Sequence, residues 1–122
     1  MTVAARRVPK PWGHELIWAH TDQYVGKLLV IEAGMRLSLQ RHVVKDESIY
    51  VLSGRLRLHL EDDQGVVRTE ELGPGDHRRV ATGRIHRYEA IERVELMEVS
   101  TPELDDVVRL EDDYGREGTS EA

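Results

Sequence analysis

The sequence predicts a single-domain, all-β protein whose strands form a sandwich or a barrel. Short runs of alternating polar and apolar residues recur along the chain, and clusters of Gly, Pro and Asp separate them. The length of 122 residues suits one well-buried core and is too short for two ordinary domains. Many short strands at such a spacing are typical of all-β sandwiches and barrels.

The strand candidates, in chain order, are residues 26–32, 36–41, 48–52, 55–60, 66–69, 77–80, 87–91 and 94–100. The most distinct pair is a hairpin, in which residues 55–60 alternate between polar and apolar, Asp62-Asp63-Gln64-Gly65 forms the turn, and residues 66–69 return. Ala33-Gly34 and Gly73-Pro74-Gly75-Asp76 mark two further turns.

The C-terminal part of the chain has a different character. A short helix is expected near residues 102–107, the one stretch that could form one. Small and polar residues dominate from Gly115 onward, so we expect a disordered tail at 117–122 beyond a domain core of about 11–116.

Composition excludes several classes of function. The chain has no cysteine, which excludes disulfides, thiolate catalysis and zinc sites with Cys ligands. The net charge of −6 argues against a nucleic-acid partner. No apolar run has the roughly 20 residues that a membrane span needs, and residues 1–10 lack the apolar core of a signal peptide. We therefore expect a cytoplasmic protein that does not bind membranes.

Four residues have the types and spacing of metal ligands. Gln40 and His42 are two apart, so on a strand both side chains leave the same face, roughly 6.6 Å apart. Glu47 follows after a short polar turn, and His86 must come from another hairpin. Among these four ligands only Glu47 carries a negative charge. A divalent cation bound by them would therefore keep a net positive charge and attract an oxyanion.

These residues stand in two motifs that resemble the cupin family. The first reads Gly34, five residues, Gln40-x-His42, four residues, Glu47, six residues, Gly54, and the second reads Gly75, five residues, Ala81-x-Gly83, two residues, His86. Gln40 stands where most cupins have His, and Ala81 where they have Pro. The resemblance implies a double-stranded β-helix, or jelly-roll barrel, with little helix.

Within the cupins the chain resembles the C-terminal domain of type II mannose-6-phosphate isomerases. The segments that carry this likeness are Pro11-Trp12-Gly13 with Glu15, Lys27, Leu37-Ser38-Leu39-Gln40-x-His42, Glu47, Val51-x-Ser53-Gly54, His86-Arg87, Glu98-Val99 and residues 105–116. The resemblance implies interconversion of mannose 6-phosphate and fructose 6-phosphate, or of a related phosphosugar, by a homodimer. Many relatives also have a preceding sugar-nucleotide pyrophosphorylase domain, which this sequence lacks, so we expect an isomerase module that stands alone.

The sequence departs from the isomerase pattern near the proposed ligands. Val43, Val44 and Lys45 follow His42 where the family has further His residues and an Arg, and Ala90 stands where Asn is usual. Lys45 would thus replace an Arg implicated in catalysis, keeping the charge but losing the bidentate fork. These changes keep two alternatives open: a metal cupin oxygenase that uses Fe(II), and a non-catalytic sugar-binding or regulatory cupin.

Isomerisation moves a proton between adjacent carbons through a cis-enediol; it needs a base, and a metal that touches the two oxygens would spread the developing charge. Glu98, Lys27 and Lys45 are the candidate bases. Zinc is the first choice of metal, although iron, manganese, nickel and cobalt also accept such ligands.

Arginines are the candidates for binding the phosphate. We predict substrate contacts from Arg36, Arg84, Arg109 and Arg116. The Arg78-Arg79 stretch could bind phosphate with Arg84 and Arg87, or be a solvated strand edge. Residues 109–116 could form a lid across the barrel or a surface strap.

The remaining histidines and the two tryptophans are given structural rather than functional roles. His14, His20, His59 and His77 lack ligand partners in the sequence and are predicted at the surface. Trp12 and Trp18 are predicted to pack, Trp12 as the anchor of an N-terminal strap on the barrel.

Overall fold

The computed structural model describes residues 5–119, and these form twelve β-strands and no helix. The strands are β1 (Arg6–Lys10), β2 (Gly13–His20), β3 (Val25–Ile31), β4 (Leu39–Arg41), β5 (Glu47–Ser53), β6 (Leu56–Glu61), β7 (Val67–Leu72), β8 (His77–Val80), β9 (His86–Ala90), β10 (Val94–Ser100), β11 (Val108–Glu111) and β12 (Gly118–Thr119). The prediction of a single-domain, all-β fold is therefore confirmed. No described helix is long and apolar enough to span a membrane.

The strands form two antiparallel sheets of six strands each. The first sheet has the order β1-β2-β3-β10-β5-β8, and the second has the order β12-β11-β4-β9-β6-β7. Strands distant in sequence are neighbours in both sheets, as when β10 lies between β3 and β5. This is the jelly-roll arrangement that the motifs predict.

The hydrophobic core lies between the two sheets. Inward-facing residues of both sheets are buried there, including Leu29, Ile49, Val51, Leu58 and Leu96, and in β5 and β10 they alternate with more exposed ones. The same alternation places polar residues of several strands inside one end of the barrel, where they form the site described below.

Most predicted strands occur within one to three residues of their expected bounds, and β8 and β10 have the predicted bounds. The Gly73-Asp76 turn is also present, since the Asp76 amide donates to the Gly73 carbonyl at 3.0 Å. Gly54 shows why its motif requires glycine. Its φ is +83°, and a Cβ there would lie 2.0 Å from the Arg93 carbonyl oxygen.

The helix expected near residues 102–107 is wrong. This segment consists of turns, in which the Leu104 amide donates to the Pro102 carbonyl at 2.9 Å. The Asp106 carboxylate accepts hydrogen bonds from the backbone of residues 43–45 instead of supporting a helix.

The two ends of the described chain also add strands that the sequence did not predict. At the N terminus β1 and β2 form a hairpin on the edge of the first sheet. At the other end Gly118–Thr119 pairs with β11, because β11 offers a free edge where the sequence suggests a tail. Residues 120–122 lie outside the described part of the chain.

The two tryptophans differ in their surroundings. Trp12 is 2% exposed and belongs to the core cluster. Trp18 is 55% exposed and lies on the outer face of the first sheet, with its ring over Gly26 and its Nε1 3.2 Å from Met97 Sδ.

Candidate metal centre and its pocket

Three of the predicted ligands meet inside one end of the barrel. His42 follows β4, Glu47 begins β5 and His86 begins β9, so the two sheets contribute together. Glu47 Oε1 lies 2.9 Å from His42 Nε2 and 3.1 Å from His86 Nε2, and all three residues are buried. One donor atom from each residue lies within 4.8 Å of the others, so this cluster could hold a metal ion.

The hydrogen bonds behind the two histidines prepare them for a metal. His42 Nδ1 pairs with the Asp106 backbone carbonyl, and His86 Nδ1 pairs with the Arg84 carbonyl at 2.9 Å. A carbonyl accepts only, so each Nδ1 carries the proton and each Nε2 presents its lone pair towards Glu47. The second carboxylate oxygen of Glu47 is buried without a hydrogen-bond partner among residues 5–119. The donor set therefore fits a divalent cation with N and O ligands.

Gln40 lies beside this cluster in a particular orientation. Its Nε2 is 3.4 Å from His86 Nε2, while its Oε1 accepts a hydrogen bond from Ser38 Oγ at 2.7 Å. Metal ligation would require the amide to turn over, because only the oxygen of an amide has a lone pair for the metal. Ser38 thus competes with the metal for that oxygen.

The predicted bases form a buried row of alternating charge next to the metal cluster. Lys27 Nζ lies 3.1 Å from Glu15 Oε2 and 3.8 Å from Glu98 Oε2, and Lys45 Nζ lies 3.8 Å from the same Glu98 oxygen. All four side chains are 8% exposed or less. The row arises because Glu15, Lys27 and Glu98 occupy the inner faces of neighbouring strands β2, β3 and β10.

Burial and neighbouring charge tune these groups in different directions. Burial and the charge of Glu47 raise the pKa of Glu98 to about 8, although Lys27 and Lys45 oppose the rise. Burial alone would lower the pKa of Lys27, but the carboxylates of Glu98 and Glu15 outweigh it and raise that pKa. The row thus contains a carboxyl group that titrates near neutral pH between two cationic lysines.

A basic wall, formed by Lys10, Arg109 and Arg116, lines the same pocket. Burial lowers the pKa of Lys10, and the charges of Lys27, Arg116 and Arg109 contribute to the shift. Burial and the charge of Arg116 likewise lower the pKa of Arg109. Burial is the largest cause of both shifts, and Glu15 and Asp112 partly oppose them. The wall is thus a cluster of partly buried cations that an anion would stabilise.

The other predicted arginines lie elsewhere. Arg36 forms a bidentate ion pair with Asp113, at 2.6 and 2.9 Å, and Arg84 forms an ion pair with Asp63. Neither arginine lines this pocket. Arg78 and Arg79 lie on β8, an edge strand, and pair with Glu70 and Asp46. Arg87 is buried and donates to the Leu37 carbonyl at 2.9 Å.

Residues 109–116 combine the two roles considered from the sequence. Arg109 is 6% exposed on β11 and contributes to the pocket wall, while Arg116 is held by Asp112 at 2.8 Å and stacks over Tyr114 at 5.6 Å. The segment is a strap fixed by ion pairs that also carries two pocket residues.

Sequence reasoning did not select four residues of this site: Lys10, Glu15, Tyr88 and Asp106. Tyr88 is 1% exposed on β9, with its ring centroid 5.4 Å from that of His86. Burial and the charges of Glu47 and Glu98 raise the pKa of its phenol. Glu15 falls within a segment that resembles the isomerases, but single residues of these types in strands carry no spacing signal of their own.

Comparison with known proteins identifies related sequences and structures. The family model for "Mannose-6-phosphate isomerase C-terminal" matches residues 2–112. Mannose-1-phosphate guanylyltransferases of Escherichia coli and Salmonella typhimurium are each 29% identical over 116 residues, which is 91% of this chain. The chain spans about a quarter of the length of these relatives, since the match covers 23% of each.

Solved structures show the same fold at low sequence identity. KdgF from a Halomonas species has a TM-score of 0.67 and 22% identity over 76% of this chain and 82% of its own. Oxalate decarboxylase from Bacillus subtilis has a TM-score of 0.77 and 17% identity over 90% of this chain and 33% of its own. The cupin fold is therefore confirmed, while likeness at these identities shows the fold alone.

Proposed function

Because the chain belongs to the mannose-6-phosphate isomerase C-terminal family, we propose that it interconverts mannose 6-phosphate and fructose 6-phosphate, or a closely related phosphosugar. One observation carries this proposal. The pocket reaches the buried His-Glu-His cluster at His42 and also contains a carboxyl group with a pKa of about 8 and a basic wall suited to phosphate. Together these groups could supply charge stabilisation, a base and a phosphate site for isomerisation of a phosphosugar.

His42, Glu47 and His86 would hold the metal, with Gln40 as a fourth ligand once its amide turns over. A divalent cation, with zinc as our first choice, would supply Lewis-acid stabilisation of negative charge on the sugar oxygens. The orientation of the two imidazoles depends on backbone carbonyls, which hold both Nε2 atoms in place before any ligand binds.

Glu98 is the proposed base. Its carboxylate removes the proton from the carbon next to the aldose carbonyl and returns it to the former carbonyl carbon, giving the ketose. The hydroxyl proton moves in the same direction, from O2 to O1, and Lys27 and Lys45, the lysines beside Glu98, assist it. A pKa of about 8 suits both halves of this exchange, because the group can accept and release a proton near neutral pH.

The basic wall of Lys10, Arg109 and Arg116 is the proposed phosphate site. Guanidinium groups bind phosphate through two parallel hydrogen bonds, and the lysine adds a point charge. Phosphate would place a counter-charge beside Lys10 and Arg109, whose pKa values are lowered mainly by burial. The row of Glu15, Lys27, Glu98 and Lys45 would then face the reacting end of the sugar.

We also propose that the protein is a cytoplasmic homodimer. The outer face of the first sheet exposes Trp18, Tyr50, Leu52 and Val99, each more than 40% accessible. Met97 Sδ lies against the Trp18 ring and extends this apolar surface. An exposed apolar sheet face of this kind suits a two-fold interface between copies of the chain.

The isomerase proposal is tested by steady-state conversion of mannose 6-phosphate, measured on zinc-loaded and chelator-treated protein. We expect conversion by the loaded wild type, none after chelation, and a loss of at least about a thousandfold in kcat for Glu98→Gln, which removes the base. Equal rates for Glu98→Gln and wild type would contradict the assignment of the base. No conversion by fully loaded wild type would contradict the reaction.

A further inference from the structure

We propose that the Tyr88 hydroxyl is a specificity-determining contact, which hydrogen-bonds a hydroxyl group of the sugar inside the pocket. The inference rests on the proposed function only in that the ligand is a sugar phosphate. It adds a residue that neither the motifs nor the ligand spacing selects.

The position of Tyr88 is fixed by the second sheet. Its backbone pairs with Leu58 of β6, and its carbonyl accepts a hydrogen bond from the Leu37 amide at 2.9 Å. The ring lies inward beside His86 and lines the same pocket as Gln40 and Glu98. A buried ring held in this way delivers its hydroxyl to one place, with little freedom to seek another partner.

The residue is 1% exposed, and no group within residues 5–119 has hydrogen-bond geometry to its hydroxyl, although the Glu47 carboxylate lies nearby. The Oε2 atoms of Glu98 and Glu47 are buried in the same state. Leaving a buried polar group unpaired costs about 1–3 kcal/mol, and folded proteins seldom accept this cost without a reason. Glu47 Oε2 has a use in the metal cluster, and Glu98 Oε2 lies 3.8 Å from both Lys27 Nζ and Lys45 Nζ. Among the described residues the Tyr88 hydroxyl has no such ion pair, so a hydrogen bond from it is left for a ligand.

The chemistry of that ligand follows from the Tyr88 hydroxyl and the Glu98 carboxyl group, which line the same pocket. A phenol at neutral pH donates a hydrogen bond, and a carboxylate oxygen accepts one. An alcohol group accepts from Tyr88 through its oxygen and keeps its own proton for an acceptor such as Glu98, which lines the same pocket. The phosphate group belongs at the basic wall, where Lys10, Arg109 and Arg116 balance its charge, which leaves the sugar hydroxyls for the Tyr88 side of the pocket.

Tyr88→Phe is the decisive variant because it removes the hydroxyl and keeps the ring. Tyr24→Phe is the matched control, since Tyr24 is 54% exposed and lies outside this pocket. Three quantities are measured for each protein: the thermal midpoint without ligand, zinc bound per chain, and binding and conversion of mannose 6-phosphate.

We expect Tyr88→Phe to keep or raise the thermal midpoint and to bind zinc like the wild type. Its affinity for mannose 6-phosphate, and its kcat/KM, should fall about ten- to a hundredfold, because the ligand hydroxyl would face an apolar edge. Tyr24→Phe should match the wild type throughout.

Four results would overturn the inference. A lower midpoint for Tyr88→Phe would show that the hydroxyl bonds to the protein itself, and a loss of zinc would show that it acts through His86. Sugar binding equal to the wild type would show that it does not touch the ligand, and a wild type that binds no mannose 6-phosphate would count against the contact as well. Binding without conversion by the wild type would contradict the isomerase proposal alone.

Discussion

The Asp106 side chain holds the loop between His42 and Glu47, two of the proposed metal ligands. Its removal should lower the stability of the protein measurably. The carboxylate accepts hydrogen bonds from the backbone N–H groups of Val43, Val44 and Lys45 at 2.9, 2.7 and 2.8 Å. At about 1 kcal/mol for each bond the carboxylate contributes ~3 kcal/mol, and partial exposure to water reduces this to ~2 kcal/mol for Asp106→Ala. For a domain of this size the thermal midpoint should fall by about 8 °C.

The assay is thermal and urea unfolding of wild type, Asp106→Ala and the control Asp105→Ala. Asp105 is the exposed neighbour, and its side chain makes none of these three bonds. Burial opposes ionisation of Asp106, but the bonds from residues 43–45 lower its pKa. Its contribution should therefore be present above the ordinary Asp pKa and disappear as the pH falls through the lowered value. Equal midpoints for the two variants at pH 7 would refute this reasoning.

Three further predictions concern the pocket. Glu47→Gln should raise the dissociation constant for zinc at least about a hundredfold in a metal titration, since it removes the anionic ligand of the cluster; an unchanged constant would contradict the site. Because the pKa of Glu98 is raised to about 8, kcat/KM should rise with pH up to about 8, while the contribution of Glu98 to unfolding free energy falls between its ordinary pKa and about 8. Both pH dependences, of kcat/KM and of the unfolding free energy, should disappear in Glu98→Gln. If they persist, another group causes them. Arg109→Met should raise KM for the phosphosugar about tenfold or more with a smaller change in kcat. The control Arg36→Met breaks an ion pair outside the pocket and should leave KM unchanged. Equal increases in KM for the two variants would reject the basic wall as the phosphate site.

The fold was predictable wherever strands alternate and turns contain glycine or proline. β8 and β10 have their expected bounds because their inward residues, such as Val80, Leu96 and Glu98, alternate strictly with outward ones. β1 was not predicted because Arg6–Lys10 is polar and contains a proline, and its pairing with β2 depends on tertiary structure. The helix at 102–107 failed because Asp106 bonds to a loop 60 residues away in sequence, which no local pattern reveals.

The residues of the site that could be predicted are those that stand at fixed intervals in a sequence motif. His42, Glu47 and His86 were selected because they recur at fixed intervals in two motifs, and the structure brings them together. Lys10 and Tyr88 were not selected, because a lysine in a polar strand and a tyrosine in an apolar one look the same whether or not they face a pocket. Their significance comes from burial and neighbouring charge, which only the folded chain defines.

The most direct test of the proposed reaction is deuterium incorporation during conversion of mannose 6-phosphate in deuterated water. Zinc-loaded wild type, His42→Ala and Glu47→Ala would be compared by NMR, with oxygen uptake recorded in parallel on iron-loaded protein. Proton transfer by Glu98 predicts fructose 6-phosphate with deuterium at the carbon next to its carbonyl, formed by the wild type and lost in both variants. A fully loaded wild type that neither converts the sugar nor exchanges its proton would contradict the isomerase account, and oxygen uptake would point to the oxygenase alternative.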